Sequence, residues 1–194
     1  ADDNLIGMAG TDSLTGGGGA DIFRLNAASA YDGSAITTVT DFGNGADILD
    51  VSLLVGITGE DPAEATVISG VSDPAAETAI DLSLLTRNAV AVVENTGVWP
   101  TSDPAAPEVS ANLTPRSAAQ IAQLFANVTF ETAPERSAKY IVISTDLENN
   151  ADVWLIQNFT ALGSIETDEV QKIGHLDSSS DIYNLLTQSG SIIA

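Results

Sequence analysis

Three aspartates, Asp3, Asp12 and Asp21, stand nine positions apart at the start of the sequence. Two residues after each comes an apolar side chain: Leu5, Leu14 and Phe23. Glycine fills the spaces between, at Gly7 and Gly10 and then at Gly16, Gly17, Gly18 and Gly19. Carboxylates in such a setting offer hard oxygen ligands, because a glycine-rich loop can also turn its carbonyls inward. Calcium takes six to eight oxygens of this kind. Stacked carboxylates repel one another unless a cation lies between them, so folding and metal binding are expected to be coupled.

A nine-residue register of Gly, Asp and one hydrophobe is the signature of a parallel β-roll. Each repeat divides into a six-residue loop and a short strand such as Ile22-Phe23-Arg24, and alternate loops stack. Leu5, Leu14 and Phe23 then fill a thin core between two strand ladders. Gly/Asp-rich stretches also occur as flexible linkers, and the four successive glycines taken alone read that way. A linker has no reason to hold three aspartates and three apolar residues in step. The register has departures: Ala1 and Met8 stand where glycine is expected, and no fourth repeat follows Arg24.

These residues resemble the repeats-in-toxin (RTX) family of bacterial secreted proteins. The later string Thr40-Asp41-Phe42-Gly43-Asn44-Gly45-Ala46-Asp47-Ile48-Leu49-Asp50-Val51-Ser52-Leu53-Leu54 is similar to the segment that closes the roll in that family. The resemblance implies calcium held between turns by Asp3, Asp12 and Asp21 with carbonyls of Gly10, Gly17 and Gly19. Asp47, in a Gly-x-Asp turn, is a secondary ligand candidate or an ordinary turn aspartate. The resemblance also implies export by a type I secretion system that reads an uncleaved C-terminal signal. The protein would then be secreted or held at the bacterial cell surface, where calcium at ~10⁻³ M folds it.

The net charge is −21, with only six Lys and Arg in 194 residues. Such a surface repels nucleic acid and anionic membranes and favours cations as partners. All eight acidic residues in the first fifty positions are Asp. Turns and tight oxygen cages select that shorter carboxylate. With no Cys, disulfides and thiolate chemistry are excluded. No apolar run is long enough for a transmembrane helix, and no N-terminal signal peptide is recognisable. The sequence lacks an initiator Met and opens inside a repeat, which reads as the C-terminal part of a longer protein.

The elements that must hold these residues are mostly strands. A β-branched run covers residues 36–42, a Gly43-Asn44-Gly45 turn follows, and a strand is expected over 46–54. Further strands are expected over 67–69, 79–85 and 89–94, with a proline-rich loop over 99–108. Thr114 and Pro115 announce a helix over 117–126, whose Ile121, Leu124 and Phe125 share one face. Residues 140–144 and 153–159 read as a hairpin. Its turn alternates Asp146, Glu148, Asn150 and Asp152 but lacks the glycine of an EF-hand loop, so a solvated turn is favoured over a cation loop. A second capped helix is expected around Ile182, Leu185 and Leu186.

The chain therefore reads as mainly β: a short parallel calcium-binding β-roll continuing into a β-rich C-terminal domain with one or two helices. The division falls at residues 1–54 for the roll and its closing strands, and 55–194 for the capping and secretion region. No catalytic constellation is recognisable. The single histidine, His175, is the one residue around which a Ser–His–Asp arrangement could form, and it reads as structural. The expected function is a calcium-binding, non-enzymatic module. The alternative is a subunit of a surface layer, adhesin or filament that self-associates with calcium, and the third possibility is a hydrolase domain.

Overall fold

The nine-residue step places a short strand at every half coil. The computed structural model describes residues 1–8, 10–26, 36–55, 68–71, 90–94, 117–124, 139–145, 149–157 and 165–193. The repeats form β1 (Asn4–Ile6), β2 (Ser13–Leu14) and β3 (Ile22–Arg24), followed by β4 (Thr37–Val39), β5 (Ile48–Asp50) and a short helix α1 (Ser52–Val55). Then come β6 (Ile68–Val71), β7 (Val90–Glu94), helix α2 (Ala118–Leu124), β8 (Lys139–Thr145) and β9 (Asn150–Gln157). A 3₁₀ turn (Thr167–Glu169), β10 (Val170–Asp177), helix α3 (Ile182–Leu186) and β11 (Ile192–Ile193) complete the described elements. The protein is mainly β.

Successive strands at the start of the chain alternate between two sheets. One sheet runs β1-β3-β5-β11, and the other runs β2-β4-β10-β9-β8-β7-β6. Every pair in the first sheet is parallel. Asn4 lies opposite Ile22, eighteen positions on and so two repeats away. In the next coil Ile22 lies opposite Ile48, because the chain from 25 to 47 is longer. Strands from both sides of residue 54 share both sheets, since β11 pairs with β5 and β10 with β4.

This register stacks the apolar residues of the repeats. Leu5, Phe23, Leu49 and Ile192 are successive partners across the first sheet. Leu14, Val39 and Leu176 are successive partners across the second. Phe23, Leu49, Val39 and Leu176 are fully buried between the sheets, with Leu5 and Leu14 packed at the margin. Phe42 joins them, its ring centroid 6.1 Å from that of Phe23 in a tilted arrangement. Burying a ring of this size contributes about 1.5–3 kcal/mol.

The inner core continues through Ile141, Ile143, Val153 and Leu155. The opposite face of the same strands carries Tyr140, Val142, Trp154 and Ile156, with Ile121 and Ala122 of α2 in the same cluster. With both faces covered, Tyr140-Ile141-Val142-Ile143 shows no alternation of apolar and polar residues. Asn149, at φ 68°, turns the chain into β9. The short polar side chain of asparagine tolerates that left-handed conformation.

Most expected strands and both expected helices are present where the residues are described. The strand expected over 46–54 ends at Asp50. The Asp50 carboxylate accepts hydrogen bonds from the amide and hydroxyl of Ser52, at 3.0 and 2.6 Å, and so starts α1 instead. Its other oxygen meets Arg24 on the neighbouring strand at 2.6 Å, which satisfies a nearly buried charge. The expected strand over 79–85, the loop over 99–108 and the Thr114–Pro115 cap lie outside the described residues.

Candidate metal centre

The aspartates of the repeats sit at the ends of turns, each one residue before a strand. On one side of the coil Asp3, Asp21 and Asp47 form a column, because Asn4, Ile22 and Ile48 are register partners. Their carboxylates reach from coil to coil. Asp21 Oδ1 accepts the Asp3 amide at 2.8 Å, and Asp47 Oδ1 accepts the Asp21 amide at 3.0 Å. Asp47 Oδ2 accepts the Gly43 amide at 2.8 Å, so this aspartate also braces its own turn. Asp3, on the β1 side of the column, is exposed.

Asp21 is fully buried, at 0% exposure, and its Oδ2 has no hydrogen-bond partner. A Cβ at Gly16 would collide with that oxygen, so the missing side chain is what makes room for it. On the other side of the coil Asp12 precedes Ser13, and Thr37 precedes the paired Thr38. Asp12 Oδ2 and Thr37 Oγ1 are both buried without a partner. A Cβ at Gly7 would crowd the Thr37 hydroxyl. Among the described residues, no Lys, Arg or His pairs with Asp12 or Asp21.

The glycines shape the turns. Gly17 (φ 83°) holds a left-handed backbone that directs its amide onto Asp41 Oδ2 at 2.7 Å, while Gly16 donates to Asp41 Oδ1 at 3.0 Å. Gly19 (φ 146°) stacks on Gly45 of the next coil, and its carbonyl accepts the Ala46 amide at 3.2 Å. Gly10 is exposed in the first turn. Asp2 Oδ1 accepts the Ala20 amide at 2.9 Å. Asp2, Asp41 and Thr37 were not recognisable as part of this arrangement from sequence, because the residues they lie against, Ala20, Gly16 and Gly17, and Gly7, are far away along the chain. A carboxylate next to glycine turns was the one available signal, and Asp2 and Asp41 share it with most early acids.

Among the described residues, no three Asp, Glu or His side chains converge as a metal cluster. A cation here would draw on one carboxylate oxygen per turn together with loop carbonyls, a donor set that suits calcium and not zinc. The unpaired oxygens of Asp12 and Asp21 fit that role. A buried anionic oxygen without a donor costs several kcal/mol unless a cation or a proton meets it.

His175 stands elsewhere, on β10. Its Nδ1 lies 2.6 Å from Asp152 Oδ1 and its Nε2 3.0 Å from Asp177 Oδ1. A Ser–His–Asp relay needs a hydroxyl at the nitrogen that Asp177 faces here. Asp152 and Asn150, read as part of a turn, belong to strand β9, and residues 146–148 lie outside the described residues.

Comparison with family models, with curated proteins and with solved structures gives no match to this chain.

Proposed function

We propose that this chain is a calcium-binding module of a bacterial secreted or cell-surface protein, resembling the RTX family. In this reading the coils of β1 to β5 are a calcium-binding β-roll, with Asp3, Asp12, Asp21 and Asp47 and the carbonyls of Gly10, Gly17 and Gly19 as the ligand pool. The single observation that carries it is Asp21, fully buried with one carboxylate oxygen that no donor meets. Neutral or cationic chemistry is required at that oxygen, and no basic side chain of the described residues supplies it.

Calcium would neutralise the turn carboxylates and tie consecutive coils together. At low cytosolic calcium the coils would stay unfolded and competent for type I secretion, and external calcium would fold them. The test is circular dichroism and calorimetric titration of the chain, with calcium and with chelator. Saturable calcium binding accompanied by a gain of β signal and a higher melting temperature is expected. No heat of binding and an unchanged melting curve would remove the proposal.

A second reading, self-association, rests on β1 and β2. Among the described strands, β1 and β2 each have a sheet neighbour on one side only, and Ile6 and Met8 beside them are 41% and 63% exposed. Edge strands template pairing with another chain, and calcium would screen the net charge of −21 that otherwise opposes it. Light scattering that rises with calcium and protein concentration supports this reading; a calcium-loaded monomer at all concentrations defeats it.

A further inference from the structure

We propose that His175 is a proton-dependent clamp on the seam where strand β10 joins the repeat coils to the β8–β9 hairpin, closed when the imidazole is charged and opened as it loses its proton. Strand β10 is the seam because it pairs in parallel with β4 on one side and antiparallel with β9 on the other. His175 lies opposite Thr38 of β4 and opposite Asp152 of β9. Between Lys172 and Gly174 the pairing with β9 slips by one residue, a bulge that brings both Lys172 and His175 onto the same carboxylate. Lys172 Nζ and His175 Nδ1 each lie 2.6 Å from Asp152 Oδ1.

An imidazolium donates from both ring nitrogens, and here each nitrogen has a carboxylate waiting. A neutral imidazole has one N–H. When the proton leaves to solvent, one of the two contacts, to Asp152 or to Asp177, becomes a lone pair facing an anion. Every charged group of the described residues that faces the ring is accounted for: Asp152 from β9, and Lys172 and Asp177 from β10 itself. From β4 the register partner of His175 is Thr38, which is uncharged. The two anions outnumber the one cation, so the site favours the charged ring.

The hydrogen bond with Asp152 raises the His175 pKa above its ordinary 6.5, aided by the charges of Asp152 and Asp177 and opposed by burial and by Lys172. Burial alone would raise the Asp152 carboxyl, but hydrogen bonds from His175 and Lys172 hold it below its ordinary 3.8. A raised pKa for a base means the stabilisation is full below pH 6.5 and is lost as pH rises through the folded value. Below the seam, Gly174 packs so closely on Leu25 and Val153 that any side chain there would crowd them. Loosening β10 therefore loosens the inner core as well.

The single histidine makes the test direct, because one ring resonance reports one site. With calcium present throughout, the folded chain should show an imidazole pKa above 6.5 by NMR titration. Lys172→Gln should move it up and Asp177→Asn should move it down. The urea midpoint of the parent chain should fall between about pH 6 and about pH 9, and that of His175→Gln should fall less. A folded pKa at or below 6.5, no opposite response to the Lys172 and Asp177 variants, or equal pH slopes would each overturn the clamp. The two flanking variants are at partly exposed positions, so the test stands even where His175→Gln folds poorly.

Discussion

Replacing Asp21 by Asn separates a metal ligand from an ordinary turn residue, because the two roles predict opposite signs in the absence of calcium. Asparagine keeps the shape and keeps a carbonyl oxygen to accept the Asp3 amide, now held by Asp21 Oδ1 at 2.8 Å. It removes the negative charge at the buried, unpartnered Oδ2. In chelator no cation meets that oxygen in the folded coil, so Asp21→Asn should be at least as stable as the parent. With calcium at about 100 times its dissociation constant the parent gains about 2.7 kcal/mol. For a chain of this length 1 kcal/mol moves the melting temperature by about 2–4 °C, so the calcium-induced rise is about 5–10 °C. The variant should lose most of that rise, and the two melting curves should change order between chelator and calcium. Thermal melts by circular dichroism in both buffers measure it. A variant that keeps the full calcium response, or that is destabilised equally in both buffers, would refute the assignment of Asp21 as a ligand.

Three further outcomes follow from the same geometry. Gly16→Ala puts a methyl group onto Asp21 Oδ2 and should abolish the calcium response, whereas Gly18→Ala, with nothing near its Cβ, should leave it intact; calorimetric titration compares them. Asp41→Ala removes the acceptor for both Gly16 and Gly17 amides and should cost about 1–3 kcal/mol, read as a lower urea midpoint in calcium. Phe23→Ala empties a fully buried position between the sheets and should cost about 3–5 kcal/mol in calcium, measured by the same denaturation.

The strands of the repeats were legible because each needs only local information. One apolar residue placed two positions after an aspartate, at the same step of each repeat, specifies an inward side chain and the pleat does the rest. Leu5, Leu14 and Phe23 accordingly take the inward positions. The column of Asp3, Asp21 and Asp47 was only half legible. The first two are two repeats apart, but Asp47 follows Asp21 by a longer interval, and only strand pairing shows that all three occupy the same step of the coil. The Asp152–His175–Asp177 group was illegible for a stronger reason. Its spacing depends on an antiparallel register interrupted by a bulge, which no local pattern encodes.

The placement of the candidate ligands matters as much as their chemistry. Coils of three-residue strands bury little, and an isolated pair of such strands is marginal in water. Here β4 is continued by β10 and β5 by β11, so the coil is anchored at the end where the C-terminal strands supply a thick core. At the other end, among the described strands, β1 and β2 have a sheet neighbour on one side only, and Leu5 and Leu14 are only partly buried. Asp21 and Asp47 lead toward the anchored end, whereas Asp3 and Asp12 lie at the weakly packed one, where apolar burial holds least. Stability supplied there by a cation would be large relative to what the coil has without it, and small relative to the core of β8 and β9. Under the proposed calcium reading, the coil would depend on calcium more than the cap does: the metal would decide whether the repeats are folded, and the cap would decide where the folded repeats begin to form.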